Sequence, residues 1–315
     1  MSANCKHVSP ECPVSDTLYG DHFTLPATAA FAAIFGLMLV AQLFLAWKAR
    51  LWSFGAWLFC GTAFECIGYV FRSIMVNNPW NDDASIGQNI ALVLGPTFVA
   101  AAISLTFKHL VIWHGPEFSL MKPRLYPVVF VGSDVVSILI QSAGGGIAAA
   151  ADTPEMSDIG ANMLLAGVTF QVVNMIFCGL LILAYAWRRK KALSEGPIQM
   201  SQAVRESQKR VKVFVIALAV AYTAILCRCI YRIPEMAMGW GSSLMRNEAT
   251  FMTFDGGFLI VACGTLTIFH PAFWFNFMSN RTDKILNRNS DIEMSVTEGI
   301  QRTDTSERNE RATQK

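Results

Sequence analysis

The chain has 315 residues, of which 53% are hydrophobic and only 15% are charged, and its mean hydropathy is +0.39. Soluble domains carry about 25% charged residues, so this composition excludes an ordinary soluble domain and favours a membrane protein. The formal net charge of +2 says little about partners, because the charges are segregated by loop.

The predicted elements begin after a polar N-terminal segment, residues 1–26, which lacks the apolar core of a signal peptide. A helix that spans a bilayer needs about 20 mostly apolar residues. Seven runs meet this requirement, near 27–47, 52–76, 88–113, 125–149, 161–187, 211–233 and 251–275. The sequence therefore predicts an all-α polytopic membrane protein with seven transmembrane helices in residues 27–275. Six helices are the alternative, since charge interrupts the fourth and sixth runs.

The loops differ in charge, and this difference predicts the orientation. Lysine and arginine near membrane ends favour the cytoplasm. Basic residues are concentrated in the loops 48–51, 114–124 and 188–212, whereas 77–88 and 151–160 carry acids and no base. The bias predicts an N-terminus outside and a C-terminus in the cytoplasm.

The two terminal segments follow from this orientation. Residues 1–26 become an extracellular tail in which Cys5 and Cys12 could form a small disulfide or could remain free. The other cysteines lie in apolar segments and are expected to act as small hydrophobic residues. Residues 276–315 are polar and lack apolar periodicity, which predicts a disordered cytoplasmic tail.

Charged and amide side chains lie inside the predicted spans or at their edges, and each charge at a helix centre costs about 2.5–3.5 kcal/mol on insertion scales. Their spacings of three, four and seven residues keep them on one stripe of each helix. The candidate substrate-binding or translocation residues are Glu65, Arg72, Asp134, Gln141, Gln171, Arg228, Arg232, Glu235, Glu248 and Asp255. We expect these stripes to form one polar core that opens toward the outside. Such a core is either an ion-pair network that fixes helix packing or a site for a polar head group or a proton relay; the number of groups favours the site.

Glycines and prolines mark further positions. The runs Gly144-Gly145-Gly146 and Gly256-Gly257 either permit close helix packing or break the helix locally to line a cavity. Pro96 predicts a kink in the third helix, and Pro234 predicts the end of the sixth.

Several classes of protein lack support in the sequence. The chain has no phosphate-binding loop, no nucleic-acid motif and no lysine in the seventh segment for a retinal Schiff base. His109, His114 and His270 do not form a spaced pair typical of zinc hydrolases. The prediction is therefore a protein that is not an enzyme and that has no cofactor and no metal site.

Several short motifs follow one another between residues 60 and 275. They are ECIGY at 65–69 with Arg72, GPTFVAA at 95–101, DVVS at 134–137 with Gln141 and Gly144–Gly146, Gly167 with Gln171, RCIYR at 228–232 with Glu235 and Gly239, and Glu248, Phe254-Asp255 and His270-Pro271. In this order they resemble the fungal RTA1-like family, a lipid-translocating exporter group of seven-helix membrane proteins. Two positions depart from the family pattern: Ser104 replaces an aromatic residue, and Gly95 replaces the commoner alanine. Gly68, Tyr69, Pro96 and the three glycines at 144–146 are expected to have structural roles.

The resemblance implies a fungal protein of the plasma membrane or an internal membrane. Members of the family are linked to export of sphingoid long-chain bases, to resistance against toxic amphiphiles and to porphyrin movement. We expect a transporter or translocase for membrane lipids or other amphiphiles, with an ammonium group near Glu65, Asp134 or Asp255. The alternative is a seven-helix lipid receptor that signals through 188–212 and the C-terminal tail. Neither hypothesis involves nucleic acid, and no protein partner is predicted.

Overall fold

The protein is described here from a computed structural model. It covers residues 5, 7–10, 12–17, 20, 23–114, 119–122, 124–151, 153–195, 202–238 and 246–274. The predicted tail, 276–315, lies outside this part of the chain and stays a prediction, as does Gly239 within its motif.

The described residues contain seven helices that are long and apolar enough to cross a membrane. This confirms the seven-helix prediction over the six-helix alternative. They are α1 (Leu25–Ala49), α2 (Trp52–Met75), α3 (Asp82–His114), α4 (Leu125–Ala149), α5 (Pro154–Glu195), α6 (Gln202–Ala237) and α7 (Glu248–Ile268). A short helix, α8 (Pro271–Trp274), follows. In the described residues the chain contains no strand longer than an isolated bridge.

Each helix packs on the next in the sequence, and α7 returns to pack on α1 and α6. Helix α3 also contacts α6 and α7. It is the most buried of the seven helices: in its apolar stretch of 18 residues 67% are buried, against 17% in the corresponding stretch of α1. Large apolar side chains cover the outer surface, among them Leu37, Val40, Leu139, Leu183 and Trp187. An apolar outer surface of this extent is what a multi-pass membrane protein presents to lipid.

The glycine runs have different roles. Helix α4 continues through Gly144–Gly146, and a Cβ at Gly144 would lie 2.8 Å from the Gly160 carbonyl oxygen of α5. Gly144 therefore serves close helix packing. In α7 the backbone instead forms a π-helical turn at Met252–Gly257, so Gly256-Gly257 belong to a local departure from α geometry.

Two sequence expectations about helix ends were wrong. Pro234 does not end α6, which continues to Ala237; the Arg232–Glu235 ion pair at 3.4 Å spans this proline. The basic region 188–212 is not mainly a loop either. Most of it extends α5 to Glu195 and begins α6 at Gln202, because arginine, lysine, alanine and glutamate all favour helix.

The N-terminal segment packs over the connection between α2 and α3. A disulfide joins Cys5 and Cys12, whose Cα atoms are 5.8 Å apart, and the Trp80 indole donates to the Cys12 carbonyl at 3.2 Å. Phe23 is buried in a small cluster with Met75 and Ala84. The segment therefore lies over one end of the helix bundle.

Candidate substrate-binding site

Seven ionisable side chains from three helices form a charged network inside the bundle. Helix α2 contributes two, α6 three and α7 two: Glu65, Arg72, Arg228, Arg232, Glu235, Glu248 and Asp255. All except Glu248 are buried. We call this set the charged network. It brings together seven of the ten predicted site residues.

Asp255 is the centre of the charged network. Its Oδ1 atom lies 3.0 Å from Arg228 Nη2 and accepts from Arg232 Nε at 3.0 Å, with Arg232 Nη2 2.9 Å away. The residue belongs to the π-helical turn of α7. One carboxylate oxygen thus holds both arginines of α6, as expected for charge-assisted contacts at these distances.

Glu65 is fully buried opposite this centre. Its Oε1 lies 3.8 Å from Arg228 Nη2, beyond hydrogen-bond distance. Gly95 of α3 provides the room for this carboxylate, since a Cβ there would lie 2.9 Å from Glu65 Cδ and closer still to Oε1. Any side chain at this position would therefore reduce the space for the Glu65 carboxylate.

Arg228 has a third partner, which Pro96 makes available. A proline inside a helix removes the hydrogen bond that its N–H would donate to the carbonyl four residues earlier. For Pro96 that carbonyl belongs to Leu92, and Arg228 Nη2 donates to it at 2.6 Å. Pro96 therefore frees an acceptor for a buried guanidinium.

Arg72 extends the charged network toward the N-terminal segment. Its guanidinium lies between the rings of Phe23 and Phe251, 4.2 and 4.4 Å from their centroids, and 3.9 Å from Glu248. The Glu248 carboxylate also accepts from the Thr24 hydroxyl at 2.8 Å and from its backbone N–H. Cation–π and capping contacts thus join the start of α1 to α2 and α7.

The charged network contains one more acid than arginines. Four acids face three arginines, which gives a formal charge of −1. Within the described part of the chain, six buried oxygens of the charged network and Tyr69 have no hydrogen-bond partner: both carboxylate oxygens of Glu65, both of Glu235, Asp255 Oδ2 and the Tyr69 hydroxyl. Two guanidinium nitrogens of the charged network, Arg228 Nε and Arg232 Nη2, also lack a hydrogen-bond partner there. Tyr69 is held by the Phe31 and Phe35 rings, and Gly256 lies against its hydroxyl. A ligand that donates hydrogen bonds and carries positive charge would complement this set.

The remaining three predicted residues form a separate cluster between α4 and α5. Gln141 Nε2 donates to Ser137 Oγ at 2.8 Å and to Gln171 Oε1 at 3.3 Å, and Gln171 donates to Thr97 of α3 at 3.3 Å. Asn174 donates to Asp134 Oδ1 at 3.0 Å. We call Asp134, Gln141, Gln171, Asn174, Ser137 and Thr97 the amide cluster. The predicted single core is thus two polar regions.

Helix α3 contacts both regions along one short segment. The Leu92 carbonyl and Gly95 face the charged network, and Thr97 faces the amide cluster. Within this segment the Leu92 carbonyl receives no helical hydrogen bond, because Pro96 has no N–H to donate. A movement of this segment would therefore change contacts in both the charged network and the amide cluster.

The profile of a family described as "RTA1 like protein" matches residues 58–278, which is the part of the chain that contains both polar regions. The chain belongs to the RTA1-like family.

Three yeast proteins are among the proteins to which the chain is similar. The chain is 29% identical over 289 residues to the sphingoid long-chain base transporter RSB1 of Saccharomyces cerevisiae (strain Lalvin EC1118 / Prise de mousse), covering 83% of this chain and 75% of that protein. It is 28% identical over 199 residues to protoporphyrin uptake protein 1 of Saccharomyces cerevisiae, covering 62% of each. It is 26% identical over 206 residues to protein RTM1, covering 65% and 63%. No solved structure matches the chain.

Some contacts of this RTA1-like protein were missed by sequence reasoning. Phe23 and Phe251 flank Arg72, yet an aromatic residue in a tail or at a helix start carries no spacing signal. Leu92 could have been found, because its carbonyl is the one that Pro96 leaves free. Tyr69 was predicted to be structural, and that stays a prediction; nothing in the sequence indicated that its hydroxyl would be buried without a hydrogen-bond partner in the described part of the chain.

Proposed function

We propose that this protein moves cationic amphiphiles of the sphingoid base class across its membrane, with the ammonium group held in the charged network. Two observations carry the proposal together: the formal charge of −1 on the charged network, and the buried oxygens around Glu65 and Asp255 that have no hydrogen-bond partner within the described residues. Burying a polar group without a partner costs about 1–3 kcal/mol. A ligand that supplies donors would recover part of this cost.

The chemistry of a sphingoid base complements this set. Its ammonium has three N–H donors and one positive charge, which would bring the formal charge of the charged network from −1 to zero. Its two hydroxyls can donate to further oxygens such as the Tyr69 hydroxyl. Its chain is apolar and suits the lipid-facing surface of the bundle. The similarity to a protein named as a sphingoid base transporter supports this substrate class.

The residues of the charged network would then have different roles in binding the ammonium group. Glu65 would be the first acceptor for the ammonium, since it is a fully buried acid whose arginine contact, at 3.8 Å, is longer than a hydrogen bond. Asp255 would keep Arg228 and Arg232 in place through Oδ1 and offer Oδ2 to the ligand. The arginines would prevent a bare negative charge when the site is empty.

Transport by reconstituted protein tests this proposal. Purified protein in liposomes is given a fluorescent sphingoid base, and protein-dependent movement is compared for wild type and Glu65→Gln. Glu155→Gln is the matched control, because Glu155 is exposed at the start of α5. We expect movement to fall at least tenfold in Glu65→Gln and to stay unchanged in Glu155→Gln. Equal movement in all three proteins would overturn the proposed site.

For the topology we propose an extracellular segment 1–26, a transmembrane domain and a cytoplasmic tail 276–315, in the plasma membrane. The basic bias of 188–212 supports this orientation, and so does the Cys5–Cys12 disulfide, since disulfides persist in oxidising compartments. Labelling of a cysteine placed at Ser2 or Ser306 by an impermeant maleimide on intact cells tests it. We expect labelling at Ser2 only; labelling at Ser306 only would reverse the orientation.

A further inference from the structure

Asp134 is a buried acid whose surroundings differ from those of the charged network. Its exposed fraction is 4%, and within the described residues it forms no ion pair with lysine, arginine or histidine. By contrast, Asp255 contacts two arginines. An ionised carboxylate without a counter-charge is costly in the bilayer, by about 2.5–3.5 kcal/mol on insertion scales.

The groups around Asp134 are uncharged. Asn174 of α5 donates to Asp134 Oδ1 at 3.0 Å and also lies 3.4 Å from the Phe130 carbonyl. Cys178 of α5 and Tyr222 and Cys229 of α6 are also close enough to Asp134 to interact with it electrostatically. Helix α3 contributes the Thr97 hydroxyl to the same cluster. A proton on the carboxyl group would therefore be the simplest neutralising partner.

The amide cluster is also poorly suited to a second head group. The side-chain amides of Gln141 and Gln171 already bond to each other, to Ser137 and to Thr97. None of the cluster's side chains is among the buried groups that lack partners in the described region. An ammonium would find one acid but few further acceptors, whereas a proton needs only that acid.

We propose that Asp134 carries the proton that drives transport, binding one proton from one side of the membrane and releasing it to the other in each cycle. The inference rests on the proposed function. The proton binds a carboxylate oxygen of Asp134 and leaves the same oxygen, while one ammonium cation travels the opposite way. One positive charge then crosses in each direction, and no net charge moves. The segment Leu92–Thr97 of α3 lies between the amide cluster and the charged network and couples the two.

Two transport modes separate a proton carrier from a structural residue. Full-length protein in liposomes is tested for exchange of labelled against unlabelled fluorescent sphingoid base at equal pH, which requires no net proton movement. It is also tested for the initial rate of net uptake driven by a gradient of one pH unit, with the rate of protein-free liposomes subtracted. The variants are Asp134→Asn, which keeps an acceptor for Asn174, and Asp134→Glu, which keeps a titratable carboxyl.

One-to-one exchange of an ammonium cation for a proton amounts to net movement of the neutral base, so the final distribution, about tenfold per pH unit, is the same with and without protein. We therefore expect the wild type to raise the initial rate of the gradient-driven uptake. Asp134→Asn should retain exchange within threefold and lose the gradient-driven part, and Asp134→Glu should keep both. Protein-dependent, gradient-driven uptake in Asp134→Asn, or equal loss of both modes, would overturn the inference. If the wild type moves the base but a pH gradient has no effect on uptake, the proton role of Asp134 is refuted and the proposed function stands. If the wild type moves nothing, the proposed function fails and the proton role with it.

Discussion

Replacement of Arg228 by glutamine gives the strongest test of the charged network's energetics. The change removes the group that contacts Asp255 at 3.0 Å and Glu65 at 3.8 Å and that donates to the Leu92 carbonyl. The formal charge of the charged network falls from −1 to −2, and Glu65 loses its arginine. Breaking a buried ion pair by removing one partner costs about 3–5 kcal/mol. We therefore expect Arg228→Gln to lower the free energy of unfolding by about this amount.

A double-mutant cycle with Glu65→Gln then measures the interaction energy between Arg228 and Glu65. The double variant returns the formal charge to −1 and removes the uncompensated carboxylate, so it should be more stable than Arg228→Gln alone. Residues within one ion-pair network typically couple by about 0.5–3 kcal/mol. At 3.8 Å and partial screening, we expect a value in the upper half of that range.

Unfolding in mixed micelles with increasing SDS measures these free energies for the wild type, both single variants and the double variant. Arg210→Gln is the control, since Arg210 is an exposed residue of the same helix, and its effect should stay within about 0.5 kcal/mol. Strict additivity of the two single variants would refute the proposed interaction between Arg228 and Glu65.

Three further predictions concern helix contacts and are checked by the same unfolding measurement together with transport. Gly95→Ala should reduce sphingoid base movement several-fold, because its methyl meets a carboxylate of the charged network, while Gly132→Ala, with open space around it, should have no effect; unchanged movement in Gly95→Ala would argue against the placement of that carboxylate. Gly144→Ala should cost about 1–3 kcal/mol through overpacking against α5, whereas Gly146→Ala, which meets nothing within 4 Å, should be neutral; equal effects would contradict the α4–α5 contact. Pro96→Ala should restore a helical hydrogen bond to the Leu92 carbonyl, for which Arg228 would then have to compete. Transport should therefore fall without loss of stability; full transport would show that the Leu92 carbonyl does not position Arg228 for transport.

Hydropathy predicted the seven helices because a bilayer leaves the backbone few alternatives to a long apolar helix. The spacing of the charges also predicted which faces would be buried: Glu65, Arg72, Arg228 and Arg232 all lie inside the bundle. The physical reason is the cost of exposing such groups to lipid, which acts on every helix independently of its neighbours.

The division into two polar regions could not be predicted in this way. A spacing of seven is the same for Glu65 with Arg72 and for Asp134 with Gln141, yet the first pair faces α6 and α7 and the second faces α5. Spacing fixes the face of a helix but not the helix that it meets. That choice depends on close approach at glycines such as Gly144 and Gly167, which lie against α5 and α4 respectively.

Binding of sphingosine to the purified protein in nanodiscs, followed by calorimetry for wild type and Glu65→Gln, tests the central claim most directly. A charge-assisted hydrogen bond contributes about 1.5–3 kcal/mol, which corresponds to a loss of roughly 10- to 150-fold in affinity. We expect the dissociation constant to rise by a factor in this range in Glu65→Gln and to stay unchanged in Glu155→Gln. Equal affinity for the wild type and Glu65→Gln would contradict the assignment of the charged network as the site for the ammonium group.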